Sequence, residues 1–441
     1  MLVADIESLD HEGRGIARVA GKTVFIEGAL PGEKVAYEIL RGKPNYDLAR
    51  ALRIVRASAQ RTAPRCPHFG VCGGCSLQHF DPSAQTAIKQ RVMEDAFSHI
   101  VRLKPEIIHP AIAGAAWGYR HRARLGVRMV PGRGGMLIGF HEKRSSYIAD
   151  LAACPVLPPD LSAMLPALHE LTAGLSIVGR IPQIEAAVGE SPAGGLETVL
   201  VFRHLLPFSS ADLARLTAFG QTWGVRIWRQ PGAPESAHPL VGDACETGAE
   251  LTYSLPEFAL RLAFRPTDFI QVNIHTNRLL IRRAMQLLDP LPGERIADLF
   301  CGLGNFTLPI AQCGAFVTGV EGSDALVARA TANAHANGLE TRTVFYAANL
   351  FESTEDSLAA LGLLDKLLLD PPREGAIAVV KAISPRQHPV RIVYVSCNPA
   401  TLARDAAVLV REKGYVLSGA GIANMFPHTS HVETVALFER R

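Results

Sequence analysis

Apolar and polar residues change rhythm twice along this chain. Up to Ser58, short runs such as KTVFIEGAL, EKVAYEIL and ALRIVRA alternate with a period of two between Gly and Pro turns. That pattern predicts a small antiparallel β-barrel. From Thr62 to Phe80 a Gly- and Pro-containing loop carries three cysteines, after which AQTAIKQRVMEDAFSHI reads as a helix. In WGYRHRARLGVRM, period-two spacing places Arg120, Arg122, Arg124 and Arg128 on one strand face. Strands and helices continue to Arg265. Beyond Asp268 the texture becomes short aliphatic strands (RIADLF, AFVTGVE, TRTVFYA, KLLLD, RIVYVS) alternating with helices. This order predicts a parallel, doubly wound sheet, closed by the last two strands (YVLSGAGIANMF, VETVALFER) as an antiparallel edge. The expected units are therefore 1–58, 59–265 and 266–441, in an α/β multidomain chain.

A length of 441 residues agrees with about three domains. Net charge is only +3, so nucleic-acid binding has to rest on local patches. One such patch lies between Arg102 and Arg144, with nine basic and two acidic side chains; Arg14, Arg18, Lys22, Arg41 and Lys43 mark the first unit. No run approaches the roughly 18 apolar residues that span a bilayer, and MLVADIESLDHEGRG lacks a basic segment leading into an apolar signal region. The expected location is the cytoplasm, with no membrane contact. Of the eight cysteines, Cys66, Cys72, Cys75 and Cys154 form an uneven set, while Cys245, Cys301, Cys313 and Cys397 are scattered. In a reducing compartment this points to metal or catalysis before disulfides. The spacing C-x5-C-x2-C plus a remote Cys-Pro suits a 4Fe-4S cluster or structural zinc, and three close ligands with one distant favour the cluster. Cys245, Cys301 and Cys313 read as structural.

Chemistry concentrates in the last unit. ADLFCGLGNFTL puts Asp298 at a strand end and Gly302 and Gly304 in the following turn, where backbone approaches a ligand closely. The third glycine of the dinucleotide fingerprint is missing. Glu321 ends the next strand, placed to accept from ribose hydroxyls, and LLLDPPREG ends the fourth at Asp370. Together these favour S-adenosylmethionine over NAD. Arg373 stands where amine methyltransferases of this pattern place an aromatic residue, which leaves carbon methylation. Carbon 5 of a uracil needs a thiolate added at carbon 6 before it can attack a sulfonium methyl group. In VSCNPATLARD, Cys397 sits at a strand end, before a helix whose N-terminus is expected to lower the thiol pKa. A base must then remove the carbon-5 proton; His428, His431 and Glu433 are candidates, and Glu433 is the best suited.

FIQVN, DLFCGLGNFTLP, LLLDPPREG, VSCNPATLARD and FPHTSHVETVALFER resemble the RNA uracil-5-methyltransferases, over nearly the whole chain. The resemblance implies a C-terminal Rossmann-like class I methyltransferase domain. It implies an N-terminal TRAM domain, an RNA-binding barrel of the oligonucleotide-binding type, and a central α+β iron-sulfur and RNA-binding domain. It makes Cys397 the nucleophile and Glu433 the base, and sets Gln271, Phe300, Asn305, Glu321, Asn349 and Asp370 around S-adenosylmethionine. It assigns a 4Fe-4S cluster to Cys66, Cys72, Cys75 and Cys154. Barrel, cysteines and LVFRHLLPFSSADLARLTAF together are most similar to the 23S ribosomal RNA branch, which implies 23S rRNA as partner; no obligatory protein partner is evident in the chain. Arg120, Arg122 and Arg124 are expected to hold phosphates. The alternatives are a tRNA uridine-5-methyltransferase and a non-catalytic RNA-binding iron-sulfur protein. The absence of a Pro-Cys nucleophile motif argues against a DNA cytosine enzyme.

Overall fold

The structure is a computed structural model that describes every residue except 134, 192–193, 241–249, 385–388 and 441; Cys245 lies outside the described residues. The first unit is a six-stranded sheet of β1 (Leu2–Asp5), β2 (Ser8–Leu9), β3 (Gly15–Val19), β4 (Lys22–Glu27), β5 (Lys34–Gly42) and β6 (Tyr46–Arg56), in the order β1-β5-β6-β4-β3-β2. Alternate residues such as Val24 and Ile26 fill a small core with Ile6, Ala17, Val35 and Tyr37. One pair departs from the all-antiparallel expectation. Because β6 inserts between β5 and β4, it runs parallel to β4, with Thr23 facing Tyr46. Just beyond, Arg61 ion-pairs the buried Glu33 at 2.6 Å and ties this unit to the cysteine loop.

Helix α1 (Pro82–Asp95) starts where Asp81 accepts the Ser83 N–H at 2.9 Å and Pro82 occupies the first turn. Its continuation leads to β7 (Ile107–Ile108). The central sheet contains β8 (Arg122–Val130), β9 (Gly135–Gly139), β10 (Gln183–Glu190), β11 (Leu196–Arg203), β12 (Arg226–Gln230), β13 (His238–Pro239), β14 (Leu251–Leu255) and β15 (Leu260–Phe264). Its path is β13-β12-β11-β10-β14-β15, with β8 on β10 and β9 on β8. Helices α2 (Pro159–Ala173) and α3 (Ser210–Trp223) cover one face through Leu165, Leu168, Leu216 and Phe219.

The last sheet follows α4 (Ile274–Leu288) and is built from β16 (Arg295–Leu299), α5 (Thr307–Gln312), β17 (Phe316–Glu321), α6 (Asp324–Ala336), β18 (Thr343–Ala347), α7 (Glu355–Ala359), β19 (Lys366–Leu369), α8 (Ile377–Ala382), β20 (Arg391–Ser396), α9 (Pro399–Arg411), β21 (Tyr415–Ala423) and β22 (Glu433–Arg440). The order is β18-β17-β16-β19-β20-β22-β21-β7. The first five are parallel, and β22 is antiparallel to both its neighbours, as the pattern predicts. The boundaries between units are less clean than the change of rhythm implies. Residues 82–112 precede the central strands but belong to the last sheet: Ile107 pairs with Gly419, and Met93, Phe97 and Val101 are buried among Tyr394, Leu402 and Leu417. Leu251, Tyr253 and Phe264 of the central sheet share one apolar core with Leu280, Ile296 and Val393. Among the described residues no helix is long and apolar enough to cross a membrane.

Candidate active site

Parallel strands β16, β17, β19 and β20 end side by side, and Phe300, Gly322, Asp370 and Cys397 follow them. This is the edge where open α/β sheets take ligands. Strand β22 runs the other way, so its first residue reaches the same edge. Ser396 pairs with Thr434, which brings their neighbours Cys397 and Glu433 opposite one another. A cavity of about 850 Å³ opens there, and Gln271, Phe300, Asn305, Glu321, Asn349, Asp370, Cys397 and Glu433 all line it. So do Cys66, Cys72, Cys75 and Cys154, at the side facing the central sheet.

On the glycine-turn side, Phe300, Gly302 and Gly304 all have positive φ, a conformation costly for Phe300 and natural for glycine. Glu321 holds this turn: one carboxylate oxygen accepts the Gly302 N–H at 3.1 Å and the other accepts the Gly322 N–H at 2.8 Å. Below it, buried Asp298 accepts from the Thr307 hydroxyl at 2.6 Å, and burial lifts its carboxyl to about 7. Asn305 is locked from behind. Its carbonyl oxygen accepts from the Tyr253 hydroxyl at 2.8 Å and from the Asn277 amide at 2.9 Å, and its own amide donates back to Asn277 at 3.1 Å. Asn349 caps a short turn by accepting the Phe351 N–H at 3.1 Å, and the Phe351 ring lies 5.8 Å from that of Phe300. Tyr253, Asn277 and Phe351 escape the sequence reading. Phe351 alone has a local signal, an aromatic residue two positions after Asn349 in the turn that follows β18.

At the other side of the edge, the thiol of Cys397 departs from expectation. Burial, with the Glu433 and Asp370 charges, pushes it up to about 11, and among its neighbours Arg373 pulls the other way. The N-terminus of α9 does not overcome these carboxyls. That helix is capped by Asn398, which accepts the Ala400 N–H at 3.1 Å. The Asn398 amide and the Thr401 hydroxyl both donate to the Arg373 carbonyl at 3.1 Å, clamping the DPPREG loop to the cysteine turn. Burial raises Glu433 well above the ordinary carboxyl range, and burial with the Asp298 charge lifts Asp370 to about 8. His431 also lines the cavity, held by Arg373 at 3.0 Å. His428 is buried against Trp117, ring centroids 3.9 Å apart. Burial depresses both imidazoles to about 4.

The four clustered thiols are free of disulfides. Burial is the largest influence on three of them, lifting Cys72, carrying Cys75 to about 11 and Cys154 to about 12, and mutual proximity adds to this. The Gly74 N–H points at the Cys72 sulfur, 3.4 Å away. Among the described residues, no three side chains of metal-ligating type converge closely enough to count as a formed metal site. The basic strand face needs a correction. Arg122 and Arg124 do alternate with buried Ala123 and Leu125. Yet the Arg122 side chain is only 15% exposed, donating to Glu185 at 3.2 Å and to the Thr267 carbonyl at 2.8 Å. It is a buried ion pair rather than a phosphate hold. Arg124 shares Glu185 at 2.9 Å but stays 62% exposed. Arg120 precedes the strand and lines the cavity instead, over the Phe140 ring.

Known proteins agree with this architecture. Residues 258–441 match the family described as tRNA (Uracil-5-)-methyltransferase, and residues 2–52 match the TRAM domain. The chain is 68% identical to a 23S rRNA (uracil(1939)-C(5))-methyltransferase of Aromatoleum aromaticum over 440 residues, 100% of both chains. It is 70% identical, again over 100% of both, to the protein of the same name from an Azoarcus species. Among solved structures it resembles the Pyrococcus abyssi tRNA (uracil-54, C5)-methyltransferase in complex with S-adenosyl-L-homocysteine. There the TM-score is 0.72 at 22% identity, covering 99% of this chain and 100% of that one, a likeness of fold. This chain belongs to the family of 23S rRNA (uracil-C5)-methyltransferases.

Proposed function

We propose that this chain methylates carbon 5 of one uridine in 23S ribosomal RNA, the position that its relatives' names give as 1939. The observation that carries the reading is the convergence of Cys397, which directly follows β20, and Glu433, which opens β22, on one cavity with a glycine turn. S-adenosylmethionine, seated against Gln271, Phe300, Asn305, Glu321, Asn349 and Asp370, supplies an electrophilic methyl group. Cys397 gives up its proton to water as the base enters and adds as a thiolate to carbon 6 of the uracil; carbon 5 becomes nucleophilic and takes the methyl group as that group's bond to the sulfonium sulfur breaks, releasing S-adenosyl-L-homocysteine. Glu433 then takes the carbon-5 proton, and the thiolate leaves carbon 6 as the ring double bond reforms. Burial suits both residues to this sequence. A carboxylate whose pKa is raised is a stronger base once ionised, and a thiol kept neutral in the free protein is protected from stray alkylation beside a methyl donor.

Cys66, Cys72, Cys75 and Cys154 fit a 4Fe-4S cluster: four free thiols, three of them buried and the fourth half-buried, face one cavity. Buried thiols lose their protons only when a cation takes them as ligands, which is what a multivalent iron centre supplies. Uracil methylation requires no electron transfer, so the cluster's part here is structural. The TRAM unit and the exposed arginines of the central sheet are read as the RNA-facing surface, with the target base turned out of its stack into the cavity. The setting is the cytoplasm.

The test is mass-spectrometric mapping of 5-methyluridine in 23S and transfer RNA from cells with and without the gene. Loss at 23S position 1939 alone is the expected result. Loss confined to tRNA overturns the substrate, and no loss in either overturns the enzymatic reading.

A further inference from the structure

Burial and the Asp370 charge act on the Glu433 carboxyl, and among the described residues no side-chain hydrogen bond holds it. Its placement therefore depends on the backbone that leads into β22. That segment is held unusually densely. Four successive carbonyls each accept from a different part of the molecule: Met425 from the Asn273 amide at 3.3 Å, Phe426 from the Lys89 ammonium at 2.8 Å, Pro427 from the Tyr119 hydroxyl at 2.9 Å, and His428 from the Ser76 and Leu77 N–H groups, both at 2.9 Å. Gln85 joins two of these parts. Its carbonyl oxygen accepts the His428 N–H at 2.7 Å, while its amide donates to Leu77 at 3.0 Å and Phe80 at 2.7 Å. Gln85 and Lys89 are fully buried on α1, where polar side chains are tolerated only if satisfied. Ser76 directly follows Cys75, so the cysteine loop itself grips the His428 carbonyl.

We propose that Gln85, Lys89 and Tyr119 are positioning residues for the reaction. They fix the segment Met425–Thr429 so that Glu433 meets the carbon-5 proton, and they make the cysteine loop part of that fixture. The inference rests on the reading of Glu433 as proton acceptor. Loosening the fixture slows proton removal while leaving thiol addition and methyl transfer in place, so the enzyme accumulates as a covalent protein–RNA adduct. A merely structural role lowers the amount of folded protein and slows every step alike.

The experiment uses full-length protein, a 23S fragment containing the target uridine and S-adenosylmethionine, and reads turnover, adduct on denaturing gels and donor affinity together. Tyr119→Phe removes a single hydroxyl from the packing. Its expected effect is a loss of turnover of about 3- to 10-fold, the worth of one hydrogen bond, with more adduct and unchanged donor affinity. Gln85→Leu is expected to lose more, and Tyr119→Phe decides the matter if Gln85→Leu does not fold. Slower turnover without adduct, or wild-type turnover in Tyr119→Phe, overturns the proposal. Glu433→Gln is the control. If it gives no adduct, the proton-acceptor reading fails; if it gives adduct and the positioning variants do not, only the fixture fails.

Discussion

The two ends of the central cavity hold the same functional group among different neighbours. At the end facing the central sheet, Cys72, Cys75 and Cys154 are raised by burial and then by other thiols, a mutual repulsion that Arg120 and Lys143 offset in part. At the sheet edge, Cys397 is raised by burial and then by Glu433 and Asp370, with Arg373 opposing. Each of these thiols disfavours ionisation of the others, so on the proposed cluster reading they ionise together as ligands of one multivalent centre. One thiol beside acids is held protonated by the same neighbours, and it becomes reactive only when it loses that proton to add to its substrate. On the proposed reading, neighbours rather than the residue type divide the cysteines between holding and reacting.

Removing one thiol from each end is the strongest way to break this division. Cys397→Ala leaves nothing to add to carbon 6, and turnover is expected to fall by at least about 10⁴-fold. Iron and sulfide per chain and donor affinity stay at the wild-type level. Cys154→Ser is expected to do the reverse, emptying the proposed cluster and lowering stability by on the order of 4 kcal/mol, the range of a lost metal centre, measured as iron content and thermal unfolding. Loss of iron in Cys397→Ala sinks the division. A smaller effect is expected for Glu433→Gln, which slows turnover about 10²- to 10³-fold, as removal of a general base does, and leaves a covalent protein–RNA band. Absence of that band moves proton removal to another group, His431 being the one at hand.

The reacting end was far more legible in the sequence than its supports. Parallel strands buried on both faces read as unbroken aliphatic runs such as RIVYVS and KLLLD. Once they are recognised, the ligand edge follows from chain direction, and with it Asp370 and Cys397. The supports have no such grammar. Gln85, Lys89 and Met93 form the buried face of α1, yet a Gln and a Lys at helical spacing read locally as a solvated stripe. Their partners are Asn424, Phe426 and His428, more than 300 residues away along the chain. Tyr253 and Asn277 are hidden in the same way behind Asn305. The direction of the Cys397 shift was misread because a helix N-terminus is visible in NPATLARD, whereas the crowding of Asp370 and Glu433 around the thiol depends on register. Arg122 looked free because Glu185, which neutralises it, lies on another strand.

The finest test concerns the charges at Cys397 alone. With its thiol at about 11, the thiolate fraction below that pH grows about tenfold per pH unit. Alkylation of Cys397 by iodoacetamide in the ligand-free protein, followed by peptide mass spectrometry, is therefore expected to rise steadily from pH 7 to 10. Single substitutions move the curve in opposite directions. Arg373→Gln removes the cation that favours the thiolate, so alkylation slows. Asp370→Asn removes a carboxylate that opposes it, so alkylation quickens, but only above about pH 8, where Asp370 is itself ionised. Each change is expected to be about 2- to 5-fold, since water screens a charge pair at a cavity mouth. Iron per chain is expected to stay constant throughout, because neither residue is among the charges acting on Cys72, Cys75 or Cys154. A plateau below pH 8 means that the thiolate already exists in the free protein, and that the N-terminus of α9 rather than the carboxyl neighbours governs Cys397.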